Sequence, residues 1–250
     1  MMAAIITEFF GCILLMTVVN VADDFIVPAL MYFAMTVVLG RISGGHLNPS
    51  VSLGVYIEQR KYASNACFLL MLMFAQALGS FCALMIGFLL RVSIPVDGLD
   101  NEYYFIPGVK GLTPPILATA DGMPAYGQVM LAEIFGSTIL VLTILFTKRF
   151  HYVLKIDRVV SAIPIPVVYI AMQMTFAELS GSNLNPATAL SSIVWQNLTY
   201  QYDPNAQWSR WTYEYASCYL VGPLLGGFFA GHIFNLLSST EDRMNKVAQR

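Results

Sequence analysis

Apolar residues gather in six runs along the chain, at about 3–22, 25–42, 65–91, 127–147, 159–179 and 213–237. Each is close to the roughly 20 residues that cross a bilayer as α-helix. The breaks between them are polar: Asp23-Asp24, a stretch around Asn48, a segment at 92–126 rich in Gly, Pro and Asp, "KRFHYVLKIDR" at 148–158, and a stretch around Asn185. The pattern predicts an all-α, multi-pass membrane protein in contact with lipid. The opening run, "MMAAIITEFFGCILLMTVVNVA", has no basic leader and no clean cleavage site, so it reads as a first span. Glu8 within it would be costly in lipid and is kept where something buried uses it.

Composition supports the membrane reading. The chain has 250 residues, 57% hydrophobic and 11% charged, against about 25% charged in soluble domains. The net charge of −2 and the short basic stretches offer nothing to nucleic acid. Cys12, Cys67, Cys82 and Cys218 lie in apolar runs without ligand spacing and read as small core residues. His151 and His232 have no partners at metal-ligand spacing, so neither metal nor cofactor is implied. Without a nucleophile–base pair or a phosphate loop, enzyme chemistry is not expected. Charge also orients the spans. One side carries Arg41, Arg60, Lys61, Lys148, Arg149, Lys155, Arg158, Arg243, Lys246 and Arg250. The other carries Arg91, Lys110 and Arg210 against seven carboxylates, from Asp23 to Asp203. The positive-inside rule then expects both termini in the cytoplasm or its topological equivalent.

One phrase occurs twice: "SGGHLNPSVSL" at 43–53 and "SGSNLNPATAL" at 180–190. The copies divide a single domain, 1–240, into repeats of about 1–91 and 127–240, joined by 92–126 and followed by a tail at 241–250. With three spans per repeat, the second copy enters the membrane inverted, a known way to build a pathway at the midplane. Asn is a strong N-cap and Pro is favoured at the first helical position. "PSVSLGVYIE" and "PATALSSIVWQN" therefore read as re-entrant half-helices, too short to span. Two helix starts meeting head to head would concentrate positive potential. If each Asn oxygen caps its own helix, both amide NH₂ groups are left to donate into a lumen. A water accepting from both could not pass a proton along a chain, and a cation would find few acceptors. Such a device favours small neutral molecules.

The ordered set resembles the aquaporin, or major intrinsic protein, family along nearly the whole chain. The paired motifs stand here as Asn48-Pro49-Ser50 and Asn185-Pro186-Ala187, with Glu8 in "TEFFG", Glu133 in "AEIFGSTILVL", Gln76 in "FAQALGSF" and the run "VGPLLGGFFAG". The resemblance implies six tilted helices around two half-helices, one pore per subunit and a homotetramer. Gly44, Gly45, His46, Gly181 and Asn183 would line the path through their backbone, and Glu8 and Glu133 would be structural carboxylates. The filter positions carried over are Pro28, Gln173, Ser182 and Thr188. Thr188 stands where the family normally has Arg, and Ser50 where it normally has Ala. A neutral Thr implies a wider constriction, less hostile to cations. The expected function is passive passage of water and of small uncharged solutes such as glycerol, urea, ammonia or hydrogen peroxide. The alternative is a non-conducting subunit of a larger membrane assembly that keeps the fold.

Overall fold

The computed structural model describes residues 1–22, 24–91, 125–153, 155–199 and 208–248. Expectations that rest on Asp23, on residues 92–124, on Asp203 and on the last two residues fall outside them, as do the side chains of Arg91, Gln196, Asn197 and Thr199 and of residues 208–214 and 242–248. The chain is all-helical among the described residues: α1 (Met2–Val21), α2 (Ile26–Leu39), α3 (Pro49–Gln59), α4 (Tyr62–Arg91), α5 (Tyr126–Tyr152), α6 (Arg158–Ala162), α7 (Pro164–Ser180), α8 (Pro186–Thr199) and α9 (Trp208–Ala248).

Five helical stretches are long and apolar enough to cross a membrane: Met2–Val21, Tyr62–Leu90, Tyr126–Tyr152, Arg158–Ser180 and Tyr215–Glu241. The second expected span is a shorter helix than its apolar run at 25–42. α2 has 14 residues, about 21 Å at 1.5 Å per residue, against roughly 30 Å of hydrocarbon. It starts where Asp24 Oδ1 accepts from the N–H groups of Ile26 (2.7 Å) and Val27 (2.8 Å), and it gives way at Gly40 to the loop that leads to Asn48. The fifth expected span is two helices, because Pro164 brings no N–H to the ladder and starts α7 afresh after α6 ends at Ala162. At the other end, α9 runs unbroken through Ala248, so most of the expected tail continues the last helix.

Packing repeats along with the sequence. α1 lies along α4, and α5 lies along α9. At the first crossing, a Cβ on Gly79 would sit 2.4 Å from the carbonyl oxygen of Phe9, the residue after Glu8. At the second, a Cβ on Gly226 would sit 2.7 Å from the carbonyl oxygen of Ile134, the residue after Glu133. Small residues let membrane helices approach this closely. The outer surface is apolar, with Phe74 71% exposed and Phe10, Leu14, Leu131, Phe135 and Leu236 also open. The centre is polar: Glu8, Gln76 and Glu133 are fully buried. That inversion suits a hydrocarbon solvent, where polar backbone and side chains must find partners inside.

Candidate functional site: two half-helices meeting tip to tip

Each Asn-Pro pair opens its half-helix as local chemistry dictates. Asn48 is extended (φ −159°, ψ 126°), and its Oδ1 accepts from the Ser50 N–H at 2.8 Å, with Pro49 as first helical residue. Asn185 Oδ1 accepts from the Ala187 N–H at 3.0 Å, ahead of α8. Such caps contribute about 1 kcal/mol each. The amides then cross over: Asn48 Nδ2 donates to the Leu184 carbonyl at 2.9 Å, and Asn185 Nδ2 donates to the Leu47 carbonyl at 3.3 Å. Each tip is thus tied to the loop entering the other. The sequence reading left both NH₂ groups whole for a solute; here one hydrogen of each already holds the opposite motif.

The loops entering the half-helices share a backbone signature. Gly44, Gly45 and Leu47 have positive φ, and so do Gly181, Ser182 and Leu184 at the matching places in the second copy. At Leu47, Ser182 and Leu184 this conformation is unfavourable for a residue with Cβ, by roughly 1–2 kcal/mol. Its return is a nest, in which successive N–H groups converge on an anion. The anion is an internal carboxylate. Glu8 accepts from the N–H groups of His46 (2.9 Å) and Leu47 (2.6 Å), from Ser43 Oγ (2.5 Å) and from Gln76 Nε2 (2.8 Å). Glu133 accepts from the N–H groups of Asn183 (3.0 Å) and Leu184 (2.8 Å) and from Ser180 Oγ (2.7 Å). Both carboxylates hold the loop ahead of a half-helix rather than the half-helix itself.

His46 is enclosed. Its carbonyl accepts from the Tyr32 hydroxyl at 3.0 Å, and its Nδ1 lies 3.1 Å from Ser52 Oγ. Pro28 is buried one turn before Tyr32 on α2. Gln173 Nε2 donates to the Ser182 carbonyl at 2.7 Å, and Ser182 Oγ donates to the Met172 carbonyl at 3.0 Å. Thr188 stands apart from that pair, its Oγ1 directed at Met16 Sδ on α1 at 3.2 Å. Asn183 Nδ2 turns back to the Asn185 carbonyl at 3.0 Å. Of the filter set, the structure joins Gln173 with Ser182 by a hydrogen bond, and no described hydrogen bond links Pro28 or Thr188 to them. Sequence reasoning passed over Met16, Tyr32, Ser52 and Tyr219. Ser43 and Ser180, by contrast, open the repeated phrase and were visible there.

Apolar helices around two half-helices whose tips are hydrogen-bonded to each other make this an all-helical, multi-pass integral membrane protein. The Major intrinsic protein family model matches residues 1–234. The chain belongs to that family. It is similar to "Aquaporin PIP2-4" of Zea mays, 28% identical over 204 residues that cover 80% of this chain and 60% of that protein. It is also similar to "Aquaporin PIP2-1" of Arabidopsis thaliana, 27% identical over 215 residues that cover 84% of this chain and 64% of that protein. The chain therefore spans about three fifths of the length of these relatives. Among solved structures, the aquaglyceroporin from Plasmodium falciparum has the same fold, with a TM-score of 0.68 at 20% identity, covering 94% of this chain and 95% of that one.

Proposed function

We propose that the protein is a passive channel for water and for other small uncharged solutes, with Asn48 and Asn185 as the donors at its centre. One observation carries this reading: two half-helix tips locked together by reciprocal amide-to-carbonyl bonds of 2.9 and 3.3 Å. Each Asn amide keeps one hydrogen beyond that bond, which supplies two oriented donors and no charge. The solute range extends past water to molecules such as glycerol, urea, ammonia or hydrogen peroxide, because Thr188 leaves the usual place of a filter cation neutral. Orientation follows the charge bias, with both termini cytoplasmic, and the working unit is a homotetramer with one conduit per subunit.

The competing reading, a non-conducting subunit of a membrane assembly, draws on the 3.2 Å contact between Thr188 Oγ1 and Met16 Sδ, between which no water fits. Proteoliposome swelling separates the two. Reconstituted protein should raise osmotic water permeability well above that of empty liposomes, with a low activation energy, and should admit at least one small neutral solute. Thr188→Arg should narrow solute uptake while water still passes. Monodisperse protein that leaves liposomes no more permeable than empty ones would reject the channel reading.

A further inference from the structure

A residue whose sequence gives no sign of it faces the second motif across from α8. Met16 lies on the buried face of α1 and is 5% exposed. Its sulfur receives the Thr188 hydroxyl at 3.2 Å, and the Asn185 amide approaches it at 3.9 Å. That amide spends one hydrogen on the Leu47 carbonyl. The sulfur therefore stands where the oxygen of a permeating molecule would have to stand to accept from Asn185 and Thr188 together. A methionine is suited to leave such a place, being unbranched, with three rotatable side-chain bonds and a weakly accepting thioether.

We propose that Met16 is the specificity-determining plug of the conduit, an inference that rests on the channel reading above. A neutral solute with an acceptor oxygen displaces the sulfur and exchanges two weak contacts for two ordinary hydrogen bonds. A hard cation gains nothing from the same exchange. It would meet a donor amide, one hydroxyl and a soft sulfur, while such ions demand several oxygen ligands. Cation exclusion at this level is then a matter of unreplaced hydration, and a fixed positive charge is not needed beside Thr188. The bulk of the Met16 side chain sets how large a solute can pass.

The test compares wild type, Met16→Ala, Met16→Leu and Met16→Phe in proteoliposomes, measuring water permeability, glycerol permeability and sodium leak, with monodispersity as the check on folding. Met16→Ala should raise the glycerol-to-water permeability ratio several-fold and raise sodium leak. Met16→Leu, similar in bulk, should keep the ratio close to wild type, and Met16→Phe should lower water flux. A purely structural role would lower all fluxes in proportion and leave the ratio unchanged. If wild type conducts while the ratio is unmoved in Met16→Ala and flux is unmoved in Met16→Phe, the plug is rejected and the channel reading stands. Should Met16→Ala not fold, an unchanged flux in Met16→Phe rejects the plug by itself. A silent wild type rejects the channel reading, and with it a specificity role for Met16, whatever Met16→Ala does. Silence from every monodisperse variant removes both ideas.

Discussion

The two carboxylate junctions were written by the same repeat, yet they are not equally braced. Both use a pair of consecutive loop N–H groups and a serine hydroxyl, from Ser43 at Glu8 and from Ser180 at Glu133. The difference lies on the helix opposite. Gly79 on α4 and Gly226 on α9 occupy matching crossings, and three residues before them stand Gln76 and Pro223. Gln76 donates both to Glu8 and to Ser52 Oγ, each at 2.8 Å, and Ser52 meets His46 in turn. Pro223 has no donor to give. α9 contributes instead through Tyr219, whose hydroxyl bonds the Ser180 carbonyl at 2.5 Å. The two halves thus share the nest and its anion, while the surrounding network has more side-chain bonds in the first half.

Replacing each carboxylate by its amide should expose that inequality most strongly. At Glu8, each oxygen accepts two donors: Oε1 from Ser43 and His46, Oε2 from Leu47 and Gln76. Whichever way the amide of Glu8→Gln turns, its NH₂ confronts one backbone N–H, of His46 or of Leu47, beside a group that must reorient to accept, Ser43 Oγ or the Gln76 amide. At Glu133, Oε2 accepts from Leu184, while Oε1 takes Ser180 and Asn183. Glu133→Gln can therefore turn so that a single donor is orphaned. A buried donor left unpaired costs about 1–3 kcal/mol. Each variant should then lose roughly 1–3 kcal/mol for its orphaned N–H, and Glu8→Gln the more of the two, because Ser43 or Gln76 must also give up its present bond. Thermal unfolding in detergent should show the larger fall for Glu8→Gln; equal falls, or the reverse order, would break the comparison.

The half-helix caps test it at intermediate size. Asn48→Ala and Asn185→Ala each remove a cap of about 1 kcal/mol and a crossing bond of about 1 kcal/mol, a loss near 2 kcal/mol. The crossing bond is tighter from Asn48 (2.9 Å) than from Asn185 (3.3 Å), so Asn48→Ala should be the more damaging. Unfolding midpoints measured side by side give the order. A clearly greater loss in Asn185→Ala would show that the second half carries more of the junction than its hydrogen bonds indicate.

How much of this could be read beforehand depends on whether a residue's role is local. Capping is local, so Asn48-Pro49 and Asn185-Pro186 announced two half-helices correctly. Glu8 and Glu133 were conspicuous because an apolar run tolerates a carboxylate poorly. Tyr32, Tyr219 and Met16 gave no such sign. Met16 is one of 13 methionines, and its contact with Thr188 depends on how α1 is rotated against α8, which no stretch of neighbouring residues encodes. The C-terminal bound of α2 was set a few residues late for a related reason. Hydropathy continues through Val37, Val38 and Leu39 toward Ile42, but the helix must end at Gly40 to deliver the loop to Glu8. The whole-amide expectation for the two Asn residues missed the crossing bonds because they join positions far apart in the chain.

Tyr219 carries the smallest prediction and the finest test of the contrast. Its hydroxyl is fully buried and donates to the carbonyl of Ser180, the serine whose own Oγ donates to Glu133. Tyr219→Phe keeps the ring in its buried cluster with Val129, Ala189, Tyr215 and Cys218 while deleting that donor. The net contribution of such a bond is about 1 kcal/mol. Ser180 is also the last residue of α7, so its carbonyl belongs to the orphan acceptors of a helix end, which need partners from elsewhere. The loss should appear as a fall of a few degrees in the unfolding midpoint, smaller than for either Asn variant. Combined with Glu133→Gln, the loss should fall short of the sum of the two singles, because Ser180 links both groups and each deletion weakens the bond that the other removes. Simple additivity would mean that α9 braces the second loop independently of Glu133, and the two junctions would then differ in kind and not only in the number of their donors.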